Sequence, residues 1–445
     1  MYLLPNEIIV DNFAGGGGTS TGLERAFKRP VDIAINHDPK ALAMHRVNHP
    51  DTRHYCENVW DVDPIEVTQN RPVALVWLSP DCTHFSKAKG SKPVKKNVRG
   101  LAWVAIRWAD KVRPRVIMLE NVEEFKTWGR LGSDGKPSIA HKGETFHSFV
   151  KALRYQGYVV EWRVLRACDF GSPTIRKRFF LVARRDGLPI EWAKPTHGEP
   201  GTKAVLSGKL QPYRTTAECI DWSIDCPSIF TRKKPLVDAT CYRIASGLIK
   251  HIVNAPEPFV LNDKGALKAP VMTEIANASS PRCMRADEPL RTICAGIKGG
   301  HHALICAFLE KYNPLASTMS KVQNASGFSA EVKAFLLAFY GGEKDSNSIS
   351  EPLRTITTKD RFGIVMVKGE PHRITDIGFR MLQPVELYKA QGFPDSYIFS
   401  YGINEDGSTI KFTKTDQTRM VGNSVPPDLS YALAKANFEH HPVYS

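Results

Sequence analysis

Ile8-Ile9-Val10-Asp11-Asn12-Phe13-Ala14-Gly15-Gly16-Gly17-Gly18-Thr19-Ser20-Thr21-Gly22 is the stretch that decides the fold. A short apolar run reads as a strand. The glycines behind it permit a tight turn and a close approach of backbone to a ligand, and residues 23–27 read as a helix whose first amides have no partner of their own. Strand, glycine turn and helix together open an α/β domain and offer a seat for a nucleotide-like cofactor; a plain tight turn is the alternative reading. No Gly-Lys-Ser/Thr follows, which excludes a P-loop.

Working outward, further apolar runs at residues 31–35, 73–78, 116–119 and 179–183 alternate with helical stretches. That rhythm predicts an α/β fold with a mainly parallel sheet covered by helices, and it places ligands beyond the carboxyl ends of the strands. After Lys194 the texture changes to proline- and glycine-rich sequence, so a boundary is expected there. In the middle region Glu288-Pro289-Leu290-Arg291-Thr292-Ile293 recurs as Glu351-Pro352-Leu353-Arg354-Thr355-Ile356. Each copy is followed by a loop with Gly and Lys and then an apolar run, which predicts a duplicated strand, loop, strand element. The expected division is residues 1–194 for the main domain, 195–373 for a smaller mixed domain, and 374–445 for a compact return ending in a helix over 429–438.

At 445 residues the chain is long enough for two cores, and no apolar run approaches the ~20 residues that cross a bilayer. Without a secretory leader it is expected to be intracellular, in the cytoplasm. Nine cysteines without metal or disulfide spacing predict free thiols and no metal. A formal charge of +14 suits a polyanionic partner.

The residues able to carry chemistry cluster behind the strands. Behind the third run comes Ser79-Pro80-Asp81-Cys82-Thr83-His84-Phe85-Ser86, followed by Lys87, Lys89, Lys92, Lys95, Lys96 and Arg99 among glycine, serine and proline. A thiol there is either a packed side chain or a nucleophile whose thiolate the nearby cations favour; the lysines are either a solvated run or a phosphate-meeting loop. Glu120 closes the next run, as a surface acid or a proton donor. Arg176 and Arg178 share one face of an extended segment and suit either acidic neighbours or a phosphate and a base carbonyl.

The glycine stretch, the Cys82 loop, Glu120-Asn121-Val122, Thr174-x-Arg176-x-Arg178, the segment from Arg380 to Gln391-Gly392-Phe393-Pro394, and Gly422-Asn423-Ser424-Val425-Pro426-Pro427 stand in the order of the motifs of the DNA cytosine-5 methyltransferase family, of bacterial or phage type, which the chain resembles over residues 8–185 and 375–436. The chain departs from the family at Asp81 and Thr83 beside the cysteine, at Thr174, and at Asn36 and Asn58, where the family has cofactor-binding acids.

The resemblance implies a Rossmann-like S-adenosylmethionine-dependent methyltransferase domain with a target-recognition domain inserted, and methyl transfer to carbon 5 of a flipped cytosine. It implies Cys82 as nucleophile, Glu120 as proton donor, Arg178 on the cytosine O2 and Arg176 orienting the loop or Glu120. S-adenosylmethionine would be held by Asp11, Phe13, Gly15, Gly17, Asn36, His37, Asn58, Val59, Pro80, Asn423 and Ser424, without a metal. Ser86, Lys87, Lys89, Lys95 and Arg99 would meet DNA at the site, and Lys298, Lys359 and Arg361 in the central region; a structural hairpin without DNA contact is the other reading of the latter. Double-stranded DNA is the partner implied, with a monomer and a cognate restriction enzyme admitted and no membrane. Two rivals stay open: methylation of RNA cytosine, and a catalytically silent DNA-binding protein prompted by Asn36, Asn58 and Asp81. A Rossmann oxidoreductase leaves Cys82, Glu120 and the paired arginines without a role.

Overall fold

The computed structural model describes residues 2–81, 100–132, 138–275, 280–296, 301–312, 331–332, 334–336 and 365–439. Cys82, Ser86, Lys87, Lys89, Lys95, Arg99, Lys298, Lys359 and Arg361, and the second Glu-Pro-Leu-Arg-Thr-Ile copy, lie outside the described residues.

The chain divides into two units, one made of Met1–Arg214 with Tyr388–Ser445 and one of Thr215–Leu387. The first is built on β1 (Ile8–Asn12), α1 (Gly18–Phe27), β2 (Ile33–Ile35), α2 (Pro39–Asn48), β3 (Arg53–Tyr55), α3 (Pro64–Thr68), β4 (Val73–Leu78), α4 (Val104–Lys111), β5 (Val116–Asn121), α5 (Glu144–Tyr155), β6 (Val159–Arg166) and β7 (Lys177–Arg184). The strands form one sheet in the order β3-β2-β1-β4-β5-β7-β6. The first five run parallel, and β7 runs antiparallel to both β5 and β6. The run at 179–183 is therefore a strand, as expected, but of reversed direction.

Apolar runs without alternation make sense once both faces of the sheet are covered. Val10, Val76, Leu78, Ile117 and Leu119 point into one core, where Trp108, Phe125, Phe146 and Phe149 pack. Ile9, Trp77, Met118 and Phe180 point into the other, beneath Leu23 of α1 and Leu429, Leu433 and Phe438. At the switch point between β1 and β4 the chain leaves neighbouring strands in opposite lateral directions, which opens a crevice at their carboxyl ends.

The second unit holds α6 (Asp238–Leu248) and an antiparallel sheet of β8 (Leu261–Asp263), β9 (Ala266–Ile275), β10 (Arg282–Arg285), β11 (His301–Lys311), β12 (Val365–Val367) and β13 (Glu370–Met381). The order is β8-β9-β11-β13-β12, with β10 on β9. A buried clamp ends this unit: Arg380 donates from both terminal nitrogens to Glu386, at 2.8 and 2.7 Å.

Both expected boundaries move. Residues 195–214 stay with the first unit because Thr196 N donates to Asp169 O at 2.9 Å and Tyr213 Oη to Asp169 Oδ1 at 2.7 Å. A break after 373 would fall inside β13, which is bonded along β11. The first Glu-Pro-Leu-Arg-Thr-Ile copy is not a strand but irregular chain, anchored by Leu290 and Ile293, 0% and 2% exposed. Pro289 lacks the N–H a ladder needs, and Glu288 O accepts from Thr216 N instead.

After α7 (Pro384–Ala390) the chain returns to the first unit as α8 (Lys414–Asn423) and α9 (Pro427–Phe438). Among the described residues no helix is long and apolar enough to cross a membrane.

Candidate active site

The site is assembled on the carboxyl edges of β1, β4 and β5. At β1 the chain turns through Phe13 (φ 62°) and Gly15 (φ 55°) to Gly17 (φ 100°), which caps α1. A Cβ on Gly17 would lie 2.7 Å from His49 Nε2 and 2.8 Å from Tyr397 Oη, and one on Gly18 would lie 1.9 Å from Ser424 Oγ and 2.5 Å from Val425 O. The glycines thus serve two ends, a left-handed backbone at the turn and the approach of the C-terminal segment to the start of α1. Tyr397 donates its hydroxyl hydrogen to Gly16 O, and Gln391 Nε2 donates to Ser424 O at 2.8 Å, fixing the 422–427 turn against this loop.

Asp11 Oδ1 and both side-chain polar atoms of Asn12 are buried and have no hydrogen-bond partner among the described residues. Buried polar groups are ordinarily paired, so three orphans at the mouth of a glycine turn fit a bound ligand that supplies donors and acceptors. Asn36 is half-buried, with Oδ1 accepting from Asp38 N at 2.8 Å; Asn58 is exposed, with Oδ1 accepting from Trp60 N at 3.2 Å. Each oxygen is engaged in a local turn, so these side chains offer a ligand an amide donor where an acid would offer an acceptor. His37 is exposed, Val59 is packed into the core, and Asn423 is exposed at the end of α8 beside half-buried Ser424.

The second cluster joins β4, β5 and β7. Ser79 N donates to Asn12 O at 3.2 Å, and Asn121 Nδ2 donates to Pro80 O at 3.1 Å, so the start of the loop that leads to Cys82 is tied to both neighbouring strands. Glu120 pairs with Phe180 across the β5–β7 ladder, and Arg178, two residues before Phe180, shares its face. Arg178 Nε lies 2.9 Å from Glu120 Oε1, with the side chains 12% and 9% exposed. Burial pushes the Glu120 carboxyl above its usual range, against the opposing charges of Arg178 and Arg176. Arg176 itself is 2% exposed, and its N–H donates to Thr174 Oγ1 at 3.3 Å. Among the arginine readings left open, the acidic neighbour is therefore Glu120, and a carboxyl held towards its neutral form is able to give a proton.

His45, His49 and Tyr397 around the glycine loop carry no mark in the sequence that separates them from ordinary residues. Only the docking of α2 and of the C-terminal segment brings them here. Among the described residues no group of three or more His, Cys, Asp or Glu is placed to hold a metal ion.

The chain matches the family model of the C-5 cytosine-specific DNA methylases over residues 8–236 and 275–439. It is 25% identical to DNA (cytosine-5)-methyltransferase 3 of Arabidopsis thaliana across 98% of its own length and 31% of that protein. It is 30% identical to the type II methyltransferase M.AquIA of Picosynechococcus sp. across 48% of this chain and 87% of that one. The chain thus spans about a third of the plant relative. Among solved structures, a DNMT2 mutant of Spodoptera frugiperda superposes with a TM-score of 0.53 at 14% identity, over 97% of this chain and 99% of that one. The Entamoeba histolytica methyltransferase EhMeth does so with a TM-score of 0.50 at 13% identity, over 98% of this chain and 99% of that one. These two likenesses are of fold. With the family model covering the glycine turn, the Glu120–Arg178 pair and the C-terminal return alike, the chain belongs to the family of C-5 cytosine-specific DNA methylases.

Proposed function

We propose that the protein transfers a methyl group from S-adenosylmethionine to carbon 5 of a flipped cytosine in duplex DNA, with Cys82 as nucleophile. The observation that carries this reading is the buried Glu120–Arg178 pair beside the anchored Pro80, with β4 between the pair and the strand that leads into the glycine turn. Cys82 follows Pro80 by two residues, a tether of at most about 7 Å.

Carbon 5 of cytosine is a poor nucleophile. The Cys82 thiolate adds to carbon 6, forming a carbon–sulfur bond, while Glu120 gives a proton to N3, so the electron pair displaced from the ring gathers at carbon 5. Arg178 holds the cytosine O2 and orients Glu120; Arg176 supports both. S-adenosylmethionine, when bound, supplies an electrophilic methyl group on a sulfonium. Water then takes the carbon 5 proton while the N3 proton returns to Glu120; the carbon–sulfur bond to Cys82 breaks, the thiolate leaves and the aromatic ring is restored. A stacked base cannot be reached, so the base flips out at a cost of a few kcal/mol, offset by cationic contacts to the phosphates. Ser86, Lys87, Lys89, Lys95 and Arg99 supply these near the base, and Lys298, Lys359 and Arg361 belong to the unit that reads the target sequence.

When bound, S-adenosylmethionine would be held by Asp11, Phe13, Gly15, Gly17, Asn36, His37, Asn58, Val59, Pro80, Asn423 and Ser424, with Phe13 offering its ring to the adenine. The test is methyl incorporation from labelled S-adenosylmethionine into duplex DNA and into RNA. DNA takes the label, and Cys82→Ala abolishes incorporation while S-adenosylmethionine still binds. Label entering RNA alone, or turnover by Cys82→Ala, defeats the assignment.

A further inference from the structure

Beneath the glycine turn a line of four side chains runs from β1 to β3. Ser20 Oγ lies 2.8 Å from Asp11 Oδ2, His45 Nε2 lies 2.9 Å from Ser20 Oγ, and His54 Nε2 lies 2.8 Å from His45 Nδ1. Asp11, Ser20 and His45 are fully buried, whereas His54, on the edge strand β3, is half-buried. The other carboxylate oxygen, Asp11 Oδ1, is one of the buried orphans at the turn. Apolar residues would fill this space without the desolvation that three buried polar groups require, so core packing alone does not account for the line.

Each link holds one hydrogen, so the direction of one link sets the others. With Asp11 ionised, Ser20 donates to Asp11, His45 donates through Nε2 to Ser20, and His54 donates through Nε2 to His45. With Asp11 protonated every link reverses: Asp11 donates to Ser20, Ser20 to His45 Nε2, and His45 through Nδ1 to His54. A proton taken up by the second ring nitrogen of His54, the half-buried end of the line whose ring also meets the Thr52 backbone, therefore moves one hydrogen across each of the three links and ends on Asp11, leaving His54 and His45 neutral.

We propose that His45 is a positioning residue for the cofactor loop: through Ser20 it sets the orientation and charge of Asp11, and through His54 it connects that carboxyl to the protein surface. This rests on reading residues 11–22 as the S-adenosylmethionine site. The groups facing the line are Glu24 from α1, and Arg46 and His49 from α2, with the Thr52 backbone at His54. His49 Nδ1 stands 2.9 Å from Glu24 Oε2, and its ring centroid is 4.4 Å from that of His45. Burial, with a smaller push from Glu24 and opposed by Ser20, raises the Asp11 carboxyl to about 7. Burial, then the neighbouring Arg46 and His49, holds His54 down at about 4. Asp11 is thus protonated below about pH 7 and ionised above it. An ionised Asp11 favours the sulfonium cation of S-adenosylmethionine over the neutral thioether of S-adenosylhomocysteine.

The experiment is calorimetric titration of both ligands from pH 6 to 8.5, with 15N spectra of the histidine rings in the ligand-free protein. In the wild type the preference for S-adenosylmethionine grows several-fold as pH rises through about 7. His45→Leu flattens that rise and weakens S-adenosylmethionine binding about tenfold, the cost of one buried partner left unmade. His45→Gln, which keeps a donor towards Ser20, restores most of the affinity but not the pH dependence. In the spectra His45 changes from the Nε2–H to the Nδ1–H tautomer as pH falls. A wild-type pH profile in His45→Leu, or a single His45 tautomer throughout, overturns the proposal. If neither ligand binds the wild type, the cofactor reading has failed, and the tautomer measurement still decides the relay.

Discussion

Replacing Arg178 by methionine removes the guanidinium whose Nε lies 2.9 Å from Glu120 Oε1 and keeps an unbranched side chain in its place. Both partners are little exposed, at 12% and 9%, so the energetics are those of a buried pair: removing one partner costs about 3 kcal/mol when the other stays charged. Glu120 has an escape, because it can bind a proton. Burial already raises its carboxyl above the usual range and Arg178 opposes that rise, so losing the arginine raises it further. A carboxyl raised in the folded state binds protons better folded than unfolded. The variant therefore keeps near wild-type stability in acid and loses it as pH climbs past the unfolded carboxyl value, by about 1.4 kcal/mol per pH unit. The loss levels off at about 3 kcal/mol. Urea unfolding followed by tryptophan fluorescence between pH 4.5 and 8 measures it. A stability difference that is the same at every pH would refute the reasoning, since it would mean that no buried charge at Glu120 is being compensated.

Glu120→Gln keeps the shape of the side chain but has no proton to give; kcat for methyl transfer is expected to fall roughly 100-fold with the KM for S-adenosylmethionine unchanged, and steady-state kinetics that show the reverse split would argue for a structural role. Gly18→Ala would place a methyl group 1.9 Å from Ser424 Oγ and 2.5 Å from Val425 O. It should cost about 2 kcal/mol in a thermal melt, of which Ser424→Gly recovers only part because Val425 O belongs to the backbone. Asn36→Asp retains an oxygen for the Asp38 amide and adds a charged acceptor, so calorimetry should find S-adenosylmethionine binding about threefold to tenfold tighter; unchanged affinity would place the ribose elsewhere. Asn121→Leu unties Pro80 and should lower kcat about tenfold with cofactor affinity intact, which a DNA methylation assay beside a binding titration resolves.

Much of the first unit is legible in the chain because burial on both faces of a sheet leaves a local trace. β4 is apolar throughout, and β1, β5 and β7 carry the uninterrupted apolar runs Ile8–Val10, Val116–Leu119 and Phe179–Ala183, with the residues that hold the chemistry at or beside their ends. β3 and β6 leave no such trace. The first is Arg53–Tyr55, and the second, at the sheet edge, buries Val160 alone among exposed and half-buried positions, so neither carries an apolar run. Arg176 and Arg178 are readable as sharing a face; that the face meets Glu120 depends on β7 running antiparallel beside β5.

Tertiary structure alone decided the rest. Nothing near Gly17 or Gly18 announces that Tyr397 and Ser424, from the far end of the chain, will stand where a side chain would be. Nothing near His45 marks it as a link between Ser20 and His54. The extra length of the first unit to Arg214, and the irregular path of residues 288–293, follow from hydrogen bonds to Asp169 and Thr216 that composition does not register. The physical reason is the same in each case. A residue's own neighbours in sequence report how much water it will lose on folding, but not which distant group will replace that water.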